Sequence, residues 1–600
     1  MDQSTSIDLP KNVTTSIGSP RWGSDLIVDV LRLLEIEYVT VLPGATTRGI
    51  HDSIVNYAGN SCPELVLCNH EMICASMARG YARVTGRPMA ALIHDSVGLM
   101  NTSMTIYDCW YDRSPVLLLG GTGPVDSQHR RPWIDWIHTA NVQGNLVRDF
   151  TKWDDQPASI AAIPESILRA YRIATTEPKG PVYVCFDVDL QEALAGTTPL
   201  PQVARYRPAK PQAPDPAALQ EAAAWLVSAE FPIAFADRVG RNASAVQALV
   251  DLADLLAMPV IDTGGRMNFP TPHELEFSPM SKALLKDADV VLGLDALDLF
   301  GAMRTPADPA TRRSKPINTP GQRVVTISLD ELLHRGWSTD YQGLPAVDLP
   351  MLADTGVALP MLLEQCRRLL DGEDRLRVEA RRRALTSQQS IMRAKQESHI
   401  REQWDHPGIT EARLLGELWK VIKDEEFVFT SAPLRRMAPG VVHLSTPDQY
   451  VAGPAGGVVG AAPGVALGAA LALRNKGKLA VAILGDGALL MSIQALWTAA
   501  HYRIPSVWIV NNNRSYLNDE DHQDRIAKFR SRPAENRWIG QRMEDPVVDF
   551  AAAARAFGLP AEGPIRSPAD LEPALRRAVE AAKNGDLYVI DVWTENRIMG

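Results

Sequence analysis

Short runs of β-branched and aliphatic residues recur along the whole chain, each followed by a longer stretch with helical spacing. This alternation constrains the fold more than any other feature. The runs fall at residues 38–42, 116–119, 290–292, 324–327, 481–484 and 507–510, and helical patterns such as 72–84 and 489–502 lie between them. Strands that read as continuous apolar runs are buried on both faces, and parallel strands need a crossover long enough to hold a helix. The pattern predicts an α/β fold of parallel sheets covered by helices on both faces. Ligands in such folds sit beyond the carboxyl ends of the strands, so chemistry is sought just after each apolar run.

The 600 residues exceed what one hydrophobic core can serve. Two segments read as connections. Residues 197–216 carry six prolines (Pro199, Pro201, Pro208, Pro211, Pro214, Pro216), which favour extended backbone over helix or central strand. Residues 361–404 are strongly helix-forming and dense in Arg, Glu and Gln, as in a solvated connector. The expected organisation is a loose tail over 1–20, a domain over 21–195, a linker over 196–216, a domain over 217–350, a helical connector over 351–405 and a domain over 406–600. Each of the three domains is predicted to be a doubly wound parallel sheet.

A net charge of −10 offers no global attraction to phosphate backbones or anionic lipid, so neither nucleic acid nor membrane is an expected partner. The six cysteines form no CxxC pair, which fits free thiols in a reducing, cytoplasmic setting. The first twenty residues are Ser/Thr-rich without an apolar core and do not read as a secretory signal. Residues 451–473 carry no charge, but six glycines and two prolines give them too little apolar surface for a bilayer span. A glycine-rich turn feeding a closely packed buried helix is expected there.

The most informative segment is 480–516. One strand ends in Gly485-Asp486-Gly487, a helix follows, and a second strand ends in Asn511-Asn512-Asn513. Two strand ends thus present Asp486 and Asn513 on one rim of a sheet. A carboxylate and an amide oxygen, with glycines that let backbone amides approach closely, suit Mg²⁺ holding a diphosphate. A helix opening after Gly487 would add its N-terminal dipole. Either motif alone reads better as a tight strand-to-helix turn or a polar loop. In the first domain Glu71 follows a short apolar strand and stands at the mouth of an Ala/Gly-rich helix, a position where a lone Glu is ordinarily a cap or dipole partner.

Together, GDG with the Asn run, and His70-Glu71 followed by Ala78-Arg79-Gly80-Tyr81-Ala82-Arg83-Val84-Thr85-Gly86, strongly resemble the thiamine-diphosphate enzymes of the pyruvate oxidase, pyruvate decarboxylase and acetolactate synthase branch. The resemblance covers essentially the whole chain. It implies a pyrimidine-binding, a central and a diphosphate-binding domain, in that order. It also implies thiamine diphosphate and Mg²⁺ as cofactors. Cofactor-binding positions would be Glu71, Gly485, Asp486, Gly487, Ala488, Asn513, Ser515 and Tyr516, with Asp486, Asn513 and Ser515 as metal ligands. In that family the Glu hydrogen-bonds the cofactor's aminopyrimidine ring and favours its imino tautomer, a role that needs a group able to hold a proton at neutral pH.

The wording is most similar to benzoylformate decarboxylases, and residues 92–101 match the loop that bears their active-site histidine, which makes His94 a catalytic candidate beside Glu71. The implied activity is decarboxylation of a 2-oxo acid, with carboligation to an acyloin, or cleavage of an acyloin or 1,2-diketone, as alternatives. The implied partner is a small 2-oxo acid or other carbonyl compound. The implied assembly is a homodimer at minimum, and a homotetramer is expected. Departures accompany the match. Pro43-Gly44 is followed by Ala45 where those enzymes carry serine, with Thr46 the nearest hydroxyl, and residues 295–300 lack their second histidine. Residues 517–537 are highly charged, and His522, Arg525, Arg530, Arg532 and Arg537 are candidates for gripping a carboxylate, the alternative being a self-paired surface. The tryptophans of 131–138 suit a pocket wall or a subunit interface. No GxGxxG opens any block, against a nicotinamide enzyme, while flavin is neither indicated nor excluded. A non-catalytic homologue is disfavoured by the joint presence of Glu71, Asp486 and Asn513.

Overall fold

The structure is a computed structural model that describes residues 7–13, 18–308, 311–317, 319–333, 343–432, 440–453 and 457–595. Among these residues the strands form three sheets in which every pairing is parallel. In the first sheet, β1 (Tyr38–Val41), β2 (Glu64–Leu67), β3 (Met89–Ile93), β4 (Val116–Thr122), β5 (Asp154–Asp155) and β6 (Val182–Asp187) run in the order β2-β1-β3-β4-β6-β5. The second contains β7 (Pro232–Ala236), β8 (Val260–Asp262), β9 (Val290–Leu294), β10 (Arg323–Ser328) and β11 (Leu349–Leu352), ordered β11-β10-β9-β7-β8. The third contains β12 (Phe427–Ser431), β13 (Leu479–Gly485), β14 (Ser506–Asn512), β15 (Ala561–Ile565) and β16 (Leu587–Trp593), ordered β12-β13-β14-β16-β15. The predicted fold class is therefore the observed one.

The central strands are fully buried, as their unbroken apolar runs require: every residue of β3, β4, β6, β7 and β9 is buried. The first and third sheets share a core through the helices Glu71–Thr85 and Ala462–Leu473. Small residues set that approach. A Cβ on Gly80 would lie 2.0 Å from the Val465 carbonyl oxygen, and one on Gly468 would lie 1.9 Å from that of Met77. The uncharged stretch 451–473 thus ends in a buried packing helix, as expected, while its residues 454–456 lie outside the described ones. Among the described residues no helix is long and apolar enough to cross a membrane.

Three expectations change. The helical pattern at 489–502 is two short helices, Asp486–Met491 and Ala495–His501, so the turn after β13 is helical from Asp486 itself. The described part of the tail is anchored: Asp8 lies 3.1 Å from His501 Nε2 and accepts from the Tyr502 hydroxyl at 3.2 Å. In the 361–404 region, Thr355–Leu369 buries Leu359, Leu362 and Cys366 in the core of the second sheet. Gly372–Trp404 follows as a 33-residue helix whose buried Arg381 donates to the carbonyls of Leu256, Ala257, Ala229 and Glu230. Asp295, the first residue of the stretch that lacks the second histidine, is wholly buried and joins two sheets by pairing with Arg113 at 3.3 Å and Arg241 at 3.1 Å. Burial alone would raise its pKa, but the two guanidiniums outweigh it and hold the carboxyl at about 2.

Candidate functional site

Two rims of strand ends carry the chemistry. In the third sheet, β13 and β14 are neighbours, with Gly485 in register with Asn511, so the segments leaving each strand are level. Asp486 is 3% exposed. Its Oδ1 accepts from Gly487 N at 2.8 Å and its Oδ2 from Arg514 N at 2.5 Å, which ties the GDG turn directly to the segment after β14. Burial pushes the Asp486 carboxyl above the usual carboxylate range, with backbone donors from Gly487, Arg514 and Ser515 opposing the shift. Asn513 Oδ1 accepts from Ser515 N at 2.9 Å, and the Ser515 hydroxyl donates to Glu520. Arg514 takes a positive φ of 60°, and its carbonyl accepts from Met543 N at 2.8 Å.

Around this turn one glycine is spent on closeness and another on space. A Cβ on Gly487 would lie 2.6 Å from Cε1 of Tyr516, whereas one on Gly485 would meet nothing within 4 Å. Ala488 is half-buried on the same turn. Gly485, next to Asp486, is exposed and open on this side. The oxygen-only donor set, a carboxylate, an amide and backbone carbonyls, fits the hard Mg²⁺ ion.

The second rim belongs to the first sheet, where the order β2-β1-β3 reverses the winding between β1 and β3 and opens a crevice at their carboxyl ends. Thr46 follows β1 and His94 follows β3. Thr46 Oγ1 lies 2.8 Å from His94 Nδ1, while His94 Nε2 lies 2.9 Å from Asp95 Oδ2. Gly44 must be glycine for the histidine to sit there, because a Cβ would lie 2.2 Å from His94 Cγ. A second ring joins from the loop after β4: His138 Nδ1 is 3.3 Å from the same Asp95 oxygen, and the two imidazoles pack edge to face at 5.4 Å.

Glu71 opens its helix as expected and is 6% exposed. Its Oε2 accepts from Asn101 Nδ2 at 3.1 Å. Asn101 stands on the helix Asp95–Tyr111, as does Gly98, where a Cβ would lie 3.3 Å from Glu71 Oε1. One helix therefore bears the contacts to Glu71 and, one to two turns earlier, the carboxylate between the two histidines. The structure brings Glu71 and the His94 corner together along the helix Asp95–Tyr111, which contacts the first through Asn101 and carries Asp95 of the second. It brings Asp486, Gly487, Asn513, Ser515 and Tyr516 together on another rim.

The charged segment 517–537 does not present its cations as a ring. Leu517–Phe529 is a helix whose Glu520 and Asp524 take back the positive charge: Arg542 reaches Glu520 at 2.8 Å, Lys528 reaches Asp524 at 2.6 Å, and Arg537 lies 3.6 Å from Glu520 and 3.4 Å from Asp524. His522, Arg525, Arg530 and Arg532 are exposed. Trp133 and Trp136 are 71% and 66% exposed. Sequence reasoning missed Asp95, Asn101 and His138. The first two lie within the motif that singled out His94, but His138 carried no signal, since its meeting with His94 is set by where the loop after β4 lands.

The family model for the N-terminal thiamine pyrophosphate binding domain of thiamine pyrophosphate enzymes matches residues 21–149, and the model for the C-terminal binding domain matches residues 435–592. These spans hold the two rims. Acetolactate synthase of Bacillus subtilis is 25% identical over 582 residues, covering 93% of this chain and 91% of its own. Benzoylformate decarboxylase of Pseudomonas aeruginosa is 27% identical over 532 residues, covering 86% and 89%. In fold, the crystal structure of benzoylformate decarboxylase from Polynucleobacter necessarius superposes with a TM-score of 0.73 at 19% identity, covering 96% of this chain and 99% of that one.

Proposed function

Because the chain is a thiamine-diphosphate-dependent enzyme of the group that includes acetolactate synthase and benzoylformate decarboxylase, we propose that it decarboxylates a 2-oxo acid. The observation that carries this reading is the Thr46–His94–Asp95 corner, standing one to two helical turns from the residues that contact Glu71. Thiamine diphosphate, when bound, supplies the carbon nucleophile and the electron sink on which a bond beside the substrate carbonyl breaks. Asp486, Asn513 and the Ser515 carbonyl would hold Mg²⁺, and Gly485, Gly487, Ala488 and Tyr516 would shape the diphosphate seat. Glu71 would hold or release a proton at the pyrimidine ring, oriented by the Asn101 amide. The His94 corner would polarise the substrate and handle the proton needed for product release.

Carboligation is the second reading, favoured by likeness to acetolactate synthase across more than nine-tenths of both chains. A homodimer at minimum, and a homotetramer as the full assembly, are proposed with it. Their support is an exposed apolar stripe, Val97, Met100 and Met104, on the helix that contacts Glu71, together with exposed Leu490 and Met491 beyond the GDG turn. The deciding experiment is a panel of 2-oxo acids with purified protein, thiamine diphosphate and Mg²⁺, read for both carbon dioxide and ligated product. Gas with free aldehyde supports decarboxylation, and gas with acyloin supports ligation. Cleavage of an acyloin or 1,2-diketone with no reaction of any 2-oxo acid overturns both.

A further inference from the structure

His94, Asp95 and His138 bring two imidazoles and one carboxylate to a single point. Their ligand atoms, His94 Nε2, Asp95 Oδ2 and His138 Nδ1, all lie within 4.8 Å of one another, with the oxygen 2.9 Å and 3.3 Å from the two nitrogens. Four-coordinate ligands at about 2.1 Å from an ion stand about 3.4 Å apart, close to the two nitrogen–oxygen separations here.

The hydrogen bonding points the same way. Asp95 is wholly buried, and its Oδ1 accepts from Val97 N at 3.0 Å. Its Oδ2 has no hydrogen-bond partner: both ring nitrogens are near enough, but neither meets it in hydrogen-bonding geometry. A buried carboxylate oxygen without a donor is strongly unfavourable unless something else compensates it. The two rings are part-open, at 17% and 23% exposure, so the point is reachable. Thr46 Oγ1, at 2.8 Å from His94 Nδ1, supplies the outer partner that a metal-binding histidine uses to fix its ring and leave the other nitrogen for the ion.

We propose that His94 Nε2, Asp95 Oδ2 and His138 Nδ1 bind one divalent transition-metal ion of the zinc, cobalt or iron(II) kind. This ion is chemically distinct from the Mg²⁺ assigned to the oxygen-only set at Asp486, since imidazole favours the transition metals and Mg²⁺ prefers oxygen. Three protein ligands leave coordination positions for water or for a carbonyl or carboxylate oxygen of the substrate. Placing the ion beside the substrate rests on the function proposed above; the binding of the ion does not.

The test uses the full-length protein, stripped of metal by a chelator and resupplied with thiamine diphosphate and excess Mg²⁺. Co²⁺ is titrated in while the visible ligand-field absorption is followed. The expected result is a band that saturates at one Co²⁺ per chain, is displaced by Zn²⁺, and weakens in affinity on the order of 10²-fold or more in His138→Ala and in Asp95→Asn. Part-exposed His138 tolerates truncation better than buried Asp95, so the first variant decides if the second does not fold. No stoichiometric band in the wild type, or a band of equal affinity in His138→Ala, overturns the proposal. The spectrum needs no turnover, so a protein inactive on every 2-oxo acid yet showing the variant-sensitive band would reject the substrate reading and keep the metal site.

Discussion

The Thr46 hydroxyl lies 2.8 Å from Nδ1 of His94, joining the first turn after β1 to the first residue after β3. The Asp95 amide points at the same hydroxyl from 3.3 Å, so Thr46 Oγ1 is held from two sides. It fixes the ring whose other nitrogen faces Asp95.

Thr46→Val keeps the shape and removes the hydroxyl. Its expected effect is a kcat lowered about tenfold, the order of one lost hydrogen bond to a functional group, with a displaced pH profile. Thr46→Ser should restore both. Steady-state kinetics across pH on whichever carbonyl substrate the panel identifies makes the comparison, and an unchanged profile in the valine variant would remove Thr46 from the corner.

Glu71→Gln should still bind thiamine diphosphate yet exchange the cofactor's C2 proton about 10²–10⁴ times more slowly, as for loss of an acid–base group. Proton-exchange NMR on the bound cofactor reads this directly. Wild-type exchange in the variant contradicts the role.

Asp486→Ala should lose metal-dependent cofactor retention, since its carboxylate links the GDG turn to the segment after β14. Native mass spectrometry after gel filtration in Mg²⁺ gives the occupancy. Because burial raises the Asp486 pKa, protons compete with the ion there, and wild-type retention should weaken as pH falls. Chelator-resistant cofactor in the variant excludes the metal role.

Gly80→Ala tests the joint between the first and third sheets without touching either rim. Its Cβ would lie 2.0 Å from the Val465 carbonyl oxygen, a contact only backbone movement relieves. Destabilisation of about 3 kcal/mol or more is expected, at or beyond the upper end of ordinary overpacking. Thermal denaturation monitored by circular dichroism should show a clear drop in the apparent melting temperature, whereas an unchanged melt would mean that the two helices separate freely.

Asp591 provides a pH test. It is fully buried, accepts from Asn512 Nδ2 at 2.9 Å, and burial raises its pKa from 3.8 to about 6. A raised folded value means that the contribution is fully present below the unfolded pKa and is lost as pH rises through about 6. Between about pH 4 and pH 7 the wild type should lose on the order of 3 kcal/mol relative to Asp591→Asn. Urea unfolding of both proteins in chelator, with no ion near Asp486, measures the difference, and parallel pH curves would refute it.

The strands, the three parallel sheets and the positions of Glu71, Asp486 and Asn513 were legible in the sequence because each depends on local order. An apolar run buried on both faces makes a strand, and the residue just after it stands on the rim whatever the rest of the chain does. Asp486 and Asn513 were pairable on paper because their strands are neighbours joined by one crossover. Tertiary structure alone decided what lies between elements distant in sequence. His138 meets Asp95 only because the loop after β4 folds back over the crevice between β1 and β3. The arginines of 517–537 look alike in the sequence, which shows charges but not partners, and among them Arg537 is taken up by Glu520 and Asp524 once the helix Leu517–Phe529 is laid down. The stretch from Asp295 looked like a gap in the site, and Asp295 is a buried joint, since the docking of two sheets sets Arg113 of the first beside it and next to Arg241 of its own domain. Spacing along a chain specifies which face a residue occupies; which charges and rings share that face is settled by packing.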